Sequence, residues 1–413
     1  MIQSAFGLLG LMVVAWLFSE DKKNVSVRNI LTGIGLQLTI AGLMLKVPAF
    51  SNAMLYLNHA VDALQEATTA GTSFIFGYIG GGPLPFAETS PGASWTLAFR
   101  ALPLILVVSA LSALLFYWRI IPVVVRAFSI VLQKTMNIGG ALGLGVASNI
   151  FVGMVEAPII ISPYVNRMTR SELMTLMISG MATISGTVLV LYASILTPVL
   201  PGAIGHILTA SIISAPAAIL ISRLMVPENT EISEDDKLNI SYPASSSMDA
   251  IVRGTSDGVS LLINVVALLL VLVALVALAN QILGFLPDAF GEPLTLQRIL
   301  GFIMWPIVWL MGIPAGEAFT ASSLMGTKTI LNEFLAYLQL AGLPAGTLSP
   351  RSTMIMTYAM CGFANLGSLG ILIGGMITLA PSRKAEIVEL GARSVIGGTL
   401  ATCMTGAIVG ILY

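Results

Sequence analysis

Long apolar blocks separated by short polar stretches dominate this chain. They lie at residues 3–18, 30–45, 95–117, 173–196, 204–225, 259–283, 353–378 and 395–413. Each approaches the ~20 apolar residues with which an α-helix crosses a bilayer, so eight transmembrane helices are predicted. Residues 136–164 and 296–343 are also apolar. Gly153 with Pro158 interrupts the first of these, and Gly312, Pro314 and Gly316 interrupt the second. Irregular backbone at membrane depth is tolerated only when buried in protein or lining a cavity. Both regions are therefore predicted to be re-entrant helical hairpins that enter and leave on one side. The strand-length alternation of a β-barrel is absent.

Composition agrees with this pattern. Of the 413 residues 56% are hydrophobic and only 9% charged, against about 25% charged in a soluble domain. The chain is expected to be an all-α polytopic membrane protein. A net charge of −1 and the lack of a basic cluster argue against a nucleic-acid partner. Cys361 and Cys403 are too few and too far apart for a metal site or a disulfide framework. The first apolar block lacks a basic leader and a clear cleavage site, so it is expected to be a retained helix. With both termini outside, 14 of the 19 Lys and Arg residues fall on the inner side, leaving Lys46, Arg100, Arg298, Lys328 and Arg351. That bias follows the positive-inside rule and is disrupted if either hairpin becomes a full crossing.

Residues 1–118 are read as three transmembrane helices with an external segment at 47–94. This segment begins as an interfacial helix and continues as a loop. Its glycine run, Gly80 to Gly82, reads as turn structure, since the Lys and Ser/Thr of a phosphate-binding loop are missing. Residues 119–226 form a first hairpin–helix repeat, 227–257 an acidic cytoplasmic linker, 258–285 a scaffold helix, and 286–413 a second repeat. In each repeat the hairpin is followed by a helix interrupted by small, hydroxyl or amide residues, near 179–188 and near 358–368. The two hairpins are predicted to enter from opposite faces, which makes the repeat inverted. Paired broken helices in corresponding positions point to a transporter's midplane site.

The polar groups expected at mid-depth are Asn149, Glu156, Thr183, Ser185, Thr187, Glu333, Asn365 and Ser368. Ionisable groups at that depth mark functional sites by default. Carboxylates and amides bind hydroxyls with two polar atoms each, and no Lys or Arg lies in the set. The pattern suits a polyhydroxylated, uncharged solute and does not suit a fixed anion. The Asn149 side chain, the Thr183 hydroxyl and carbonyls freed at Val152 and Ile184 offer a hard cation the oxygens it prefers. Simpler readings compete. Glu156 can pair with a buried basic residue, and the Thr183 and Ser185 hydroxyls can bond back to the preceding turn. Lys328 stands five residues before Glu333, a poor offset for a helical pair. His59 and His206 are placed in outer loops, and Arg253 is expected to pair with Asp257 at the membrane surface.

With these residues in view, the sequence resembles the concentrative nucleoside transporters, bacterial sodium-coupled type. The resemblance rests on Gly-x-x-Glu-Ala-Pro at 153–158, Asn332-Glu333-Phe334-Leu335-Ala336-Tyr337, and Cys361-Gly362-Phe363-Ala364-Asn365, and it extends over essentially the whole chain. It implies an elevator-type homotrimer in the cell membrane that imports nucleosides by cation symport, with sodium as the coupling ion and no other cofactor. It implies that Glu333, Asn365 and Ser368 hold the ribose with Phe363 nearby, and that Gly153, Met154, Val155, Glu156 and Val188 face the base. Asn149, Val152, Thr183 and Ile184 would form the sodium site. Where the family pattern has Gln and Thr after the glycine, this chain has Met154 and Val155, which neither donate nor strongly accept hydrogen bonds. Weaker pyrimidine selectivity and good acceptance of purine nucleosides are therefore expected. The alternatives are a proton-coupled nucleoside carrier, an elevator carrier for another small polar solute, and an intramembrane enzyme using Glu156 and Glu333. The enzyme reading lacks a nucleophile motif, a His-based metal motif or a cofactor loop.

Overall fold

A computed structural model describes residues 1–89, 93–154, 156–228, 244–288 and 293–413. Among these residues every regular element is a helix and no strand forms. The chain opens with α1 (Ile2–Leu17), α2 (Val27–Lys46) and α3 (Pro48–Phe76), followed by a short 3₁₀ turn and a π turn that lead to α4 (Leu104–Tyr117). Next come α5 (Ile120–Met136), α6 (Gly140–Phe151), the short α7 (Glu156–Ile160) and α8 (Ser162–Val165), then α9 (Arg170–Ala182), α10 (Gly186–Leu196) and α11 (Ala203–Met225). The long α12 (Ser247–Leu283) precedes α13 (Leu296–Leu310), α14 (Ala315–Ile330), α15 (Glu333–Ala341), α16 (Pro350–Met360), α17 (Leu366–Leu379) and α18 (Lys384–Leu412).

Six helical stretches in the described residues are long and apolar enough to cross a membrane, and α1, α6, α13 and α17 are apolar but shorter. The apolar block at 353–378 is two helices, α16 and α17, parted at Cys361–Asn365 where small and amide residues interrupt the periodicity. The segment at 47–94 is more helical than expected, with α3 running for 29 residues before Gly77 turns the chain at φ +59°. Part of the predicted linker is helical as well. The Ser246 side chain accepts a hydrogen bond from the Asp249 amide and starts α12 eleven residues before 258. The central part of the acidic linker, 229–243, lies outside the described residues.

Two expectations about charged groups are corrected. Arg253 pairs with Asp249 at 2.9 Å and not with Asp257. The carboxylate precedes the base by one turn here, the order that also complements the helix dipole. His206 lies within α11, not in a loop, and is part-buried with Nδ1 3.1 Å from the Tyr358 hydroxyl. His59 is exposed on α3.

Small residues allow the helices to approach closely enough to build the centre. A Cβ on Gly7 would lie 1.6 Å from the Leu310 carbonyl oxygen, so α1 crosses α13 backbone to backbone. Gly254 and Gly258 do the same for α12 against α4, where added methyls would meet Ala113 and Ser109. At the core the two interrupted helices touch. A Cβ on Gly362 would stand 2.9 Å from the Met181 carbonyl oxygen, and the Phe363 amide donates to the Thr183 carbonyl at 3.3 Å. On the face that the charge pattern assigns to the inside, Arg170 at the head of α9 bridges Glu20 at 2.8 Å and Glu389 at 2.6 Å. Arg393 also bonds Glu20, tying the ends of α1, α9 and α18 together.

Candidate functional site

Each break leaves two kinds of helix end. The last carbonyls of the incoming helix and the first amides of the outgoing helix lack intrahelical partners. Carbonyl ends carry partial negative charge and amide ends partial positive charge, so one favours a cation and the other an anionic or hydroxyl oxygen. Here α6 and α9 contribute carbonyl ends, and α10, α15 and α17 contribute amide ends around one cavity.

That cavity, about 180 Å³, is bounded on one side by Gly153, Met154, Glu156, Ser185, Thr187, Val188 and Tyr192. Across from them lie Glu333, Phe363, Asn365 and Ser368. Eight of the nine predicted substrate residues therefore share one cavity, and the ninth, Val155, lies outside the described residues. The third wall is apolar, formed by Ile105 of α4 and Leu261, Val265, Leu268 and Leu272 of α12.

Glu333 is the best-anchored group. It is 3% exposed at the first turn of α15, which the Asn332 side chain caps by accepting from the Leu335 amide. Its Oε1 accepts from the Tyr192 hydroxyl at 2.6 Å and its Oε2 from Asn365 Nδ2 at 3.0 Å. Asn365 in turn caps α17, its Oδ1 accepting from the Ser368 amide at 2.7 Å. Because Oδ1 is committed to the cap, Nδ2 must face the carboxylate. A carboxylate offers about four lone-pair sites, so acceptor capacity remains for substrate hydroxyls.

On the opposite side Gly153 is held at φ +139°, a conformation that L side chains rarely adopt. A Cβ there would lie 2.6 Å from Glu156 Oε2 and 3.0 Å from Ser185 Cβ. The glycine thus lets the carboxylate fold back over the break. Glu156 is exposed, in contrast to Glu333. The Ser185 and Thr187 hydroxyls bond each other at 2.7 Å along the same rim.

Two of the expected cation ligands, Asn149 and Thr183, meet. Asn149 is 1% exposed on α6, its Nδ2 donating to Ser179 Oγ at 3.3 Å, while its Oδ1 is buried with no hydrogen-bond partner among the described residues. Thr183 Oγ1 lies 3.1 Å from the Asn149 carbonyl and 2.8 Å from the Ser179 carbonyl. The back-bond is therefore present, yet it uses the hydroxyl's single proton and leaves its lone pairs available. Val152 caps the end of α6, and Ile184 sits fully buried in the adjoining break. A buried acceptor without a donor is costly, and a cation among these oxygens would satisfy it. Among the described residues there is no cluster of three His, Cys, Asp or Glu.

Sequence reasoning missed three contributors. Tyr192, one helical turn after Val188, carries the hydroxyl that fixes Glu333, and that i,i+4 spacing was the available signal. The apolar wall of α4 and α12 has no polar marker and emerges only from packing. Lys328 was left outside the midplane set, but its side chain is fully buried within electrostatic reach of Glu333 without forming an ion pair with it. The break at Leu331–Asn332 separates the two residues onto different helices.

Known proteins resemble this chain in sequence and fold. Profiles of the Na+ dependent nucleoside transporters match the N-terminus at residues 6–79 and the C-terminus at 206–410, with a nucleoside recognition gate at 98–199. The chain is 37% identical to the uncharacterized transporter YutK of Bacillus subtilis over 98% of both chains. It is 34% identical to the nucleoside permease NupC of Helicobacter pylori over 99% of this chain and 97% of that one. A solved structure of CNTnw in an inward-facing substrate-bound state matches with a TM-score of 0.90 and 33% identity, over 99% of this chain and 98% of that one. The chain belongs to the concentrative nucleoside transporter family, whose members are multi-pass membrane transporters and not enzymes.

Proposed function

We propose that this protein imports nucleosides by symport with sodium, one nucleoside occupying the cavity between the two interrupted helices. The observation that carries the reading is the Tyr192–Glu333–Asn365 network sharing one cavity with Gly153 and Glu156, together with a buried Asn149 Oδ1 that has no hydrogen-bond partner among the described residues. Glu333, Asn365 and the Ser368 hydroxyl receive the ribose hydroxyls, and Phe363 packs beside the sugar. Gly153, Met154, Val155, Glu156 and Val188 face the base. Sodium binds Asn149 and Thr183 with the carbonyls of Val152 and Ile184.

Coupling follows from shared backbone. Asn149 and Gly153 stand four residues apart on one break, and Thr183 and Ser185 two residues apart on the other. An ion that orders the carbonyl ends also orders the rim that meets the nucleoside, and linkage makes the effect reciprocal. The two hairpin–helix units form an inverted repeat that moves as an elevator past the apolar α4/α12 wall. A wall of Leu, Ile and Val lets a polar cavity slide by without exchanging hydrogen bonds. The long apolar face of α12 is consistent with a homotrimer in the cell membrane.

At the base, Met154 is 8% exposed and presents a thioether where a hydrogen-bonding side chain would discriminate. Selectivity is accordingly broad or purine-leaning, and uridine uptake should be inhibited as strongly by adenosine and guanosine as by cytidine. The test of the whole reading is radiolabelled adenosine uptake into proteoliposomes under an imposed sodium or proton gradient. Sodium-driven uptake is expected. Uptake indifferent to sodium but abolished by collapsing a proton gradient overturns the Asn149/Thr183 assignment and leaves a proton-coupled carrier.

A further inference from the structure

The two halves of the site are built alike but end in opposite chemistry. In the first half the dipeptide Ser148-Asn149 lies near the end of α6, Asn149 two residues before its last residue, Phe151. The helix that follows the hairpin, α9, has Thr183 as its C-cap, within reach of Asn149. In the second half Thr327-Lys328 lies near the end of α14, Lys328 two residues before its last residue, Ile330. The helix that follows, α16, has Cys361 as its C-cap.

All four side chains of these dipeptides carry a buried polar atom with no hydrogen-bond partner among the described residues: Ser148 Oγ, Asn149 Oδ1, Thr327 Oγ1 and Lys328 Nζ. In the first half the unmatched group beside Ser148 is an acceptor, which calls for a cation. In the second it is an ammonium, which is a cation already. A fully buried lysine without a hydrogen bond or ion pair is costly for any fold. The carbonyl ends of α14 and α16 offset part of that cost through their partial negative charge.

We propose that the Lys328 ammonium is a tethered cation, standing in the second repeat where an exchangeable ion stands in the first. It rests on the symport reading above. Lys328 then supplies permanently, beside Glu333, the charge that sodium supplies reversibly beside Glu156. Glu333 keeps an ionised, hydroxyl-binding carboxylate without a second ion, and the site takes up a single exchangeable cation.

The experiment is calorimetric binding of adenosine to the purified full chain, with sodium chloride titrated against choline chloride. In wild type, affinity should rise with sodium with a Hill coefficient of about 1. Lys328→Met removes the charge at similar length, and adenosine affinity should fall about tenfold or more at every sodium concentration. Lys328→Asn restores the first repeat's amide, and the Hill coefficient should move toward about 2. Thermal unfolding establishes that each variant is folded. A Lys328→Met protein that is folded and binds with wild-type affinity and sodium dependence overturns the proposal. So does a coefficient of about 2 in wild type, a result that needs no variant. Wild-type binding that ignores sodium removes the symport reading together with this one.

Discussion

Replacing Glu333 with Gln separates recognition from folding. The carboxylate accepts from Tyr192 through one oxygen and from Asn365 through the other. Asn365 cannot flip without losing its cap on α17. A glutamine can still satisfy both neighbours if its oxygen faces Asn365 Nδ2 and its amide donates to the Tyr192 hydroxyl, which also accepts. Both hydrogen bonds are therefore kept while the charge is lost. Hydrogen bonds to a charged group contribute about 1.5–3 kcal/mol and neutral ones about 0.5–1.5. Two ribose contacts weakened in this way amount to about 2 kcal/mol, or roughly 30-fold in affinity. Glu333→Ala behaves differently, because it also leaves the Tyr192 hydroxyl and Asn365 Nδ2 buried without a partner, at about 1–3 kcal/mol each. Calorimetric adenosine binding read beside thermal unfolding should show both variants losing affinity, with Ala losing markedly more stability than Gln. Binding of the Gln variant within twofold of wild type refutes the role given to Glu333.

Gly153→Ala forces a side chain into a positive-φ position and against Glu156, at about 1–3 kcal/mol of local strain, and adenosine affinity should fall about 10- to 100-fold. A variant with unchanged affinity would show that the fold-back of Glu156 is dispensable. Thr183→Val keeps the shape and removes a ligand oxygen, so the sodium concentration for half-maximal binding should rise about tenfold with saturating-sodium affinity nearly unchanged. Hydrogen bonding from Arg170 holds the Glu20 carboxyl below its usual range. Its contribution to stability is present above the ordinary carboxylate pKa and is lost as pH falls through the depressed value. Unfolding temperature followed by fluorescence should drop on acidification, and Glu20→Gln should lower it near neutral pH and flatten the acid decline.

The site was legible in the sequence wherever chemistry is expensive in an apolar setting. Glu156, Glu333, Asn149 and Asn365 stand out because lipid tolerates them only for a reason, and the cavity gathers both carboxylates together with Asn365. The broken helices were legible through Gly153, Pro158 and the Cys361–Asn365 interruption. What stayed hidden was set by three-dimensional packing. The α4/α12 wall is apolar and resembles every other apolar helix in the chain. Tyr192 acquires its role only when α10 meets α15. His206 looked like a loop residue because nothing local shows that Tyr358 waits beside it. Lys328 was judged by its spacing to Glu333 along one helix, but the chain breaks between them, so sequence offset carried no geometric meaning.

The central claim is that this cavity couples nucleoside movement to an ion gradient. The most direct measurement is steady-state accumulation of radiolabelled adenosine in proteoliposomes with a tenfold inward sodium gradient and the membrane potential clamped at zero. One-to-one symport predicts accumulation of about tenfold over the bath, collapsing when the gradient is dissipated, and an initial uptake rate in Glu333→Gln that falls about tenfold or more at adenosine concentrations near the wild-type half-saturation point. Equilibration to the bath concentration without accumulation, or an initial uptake rate undiminished in Glu333→Gln, would contradict it.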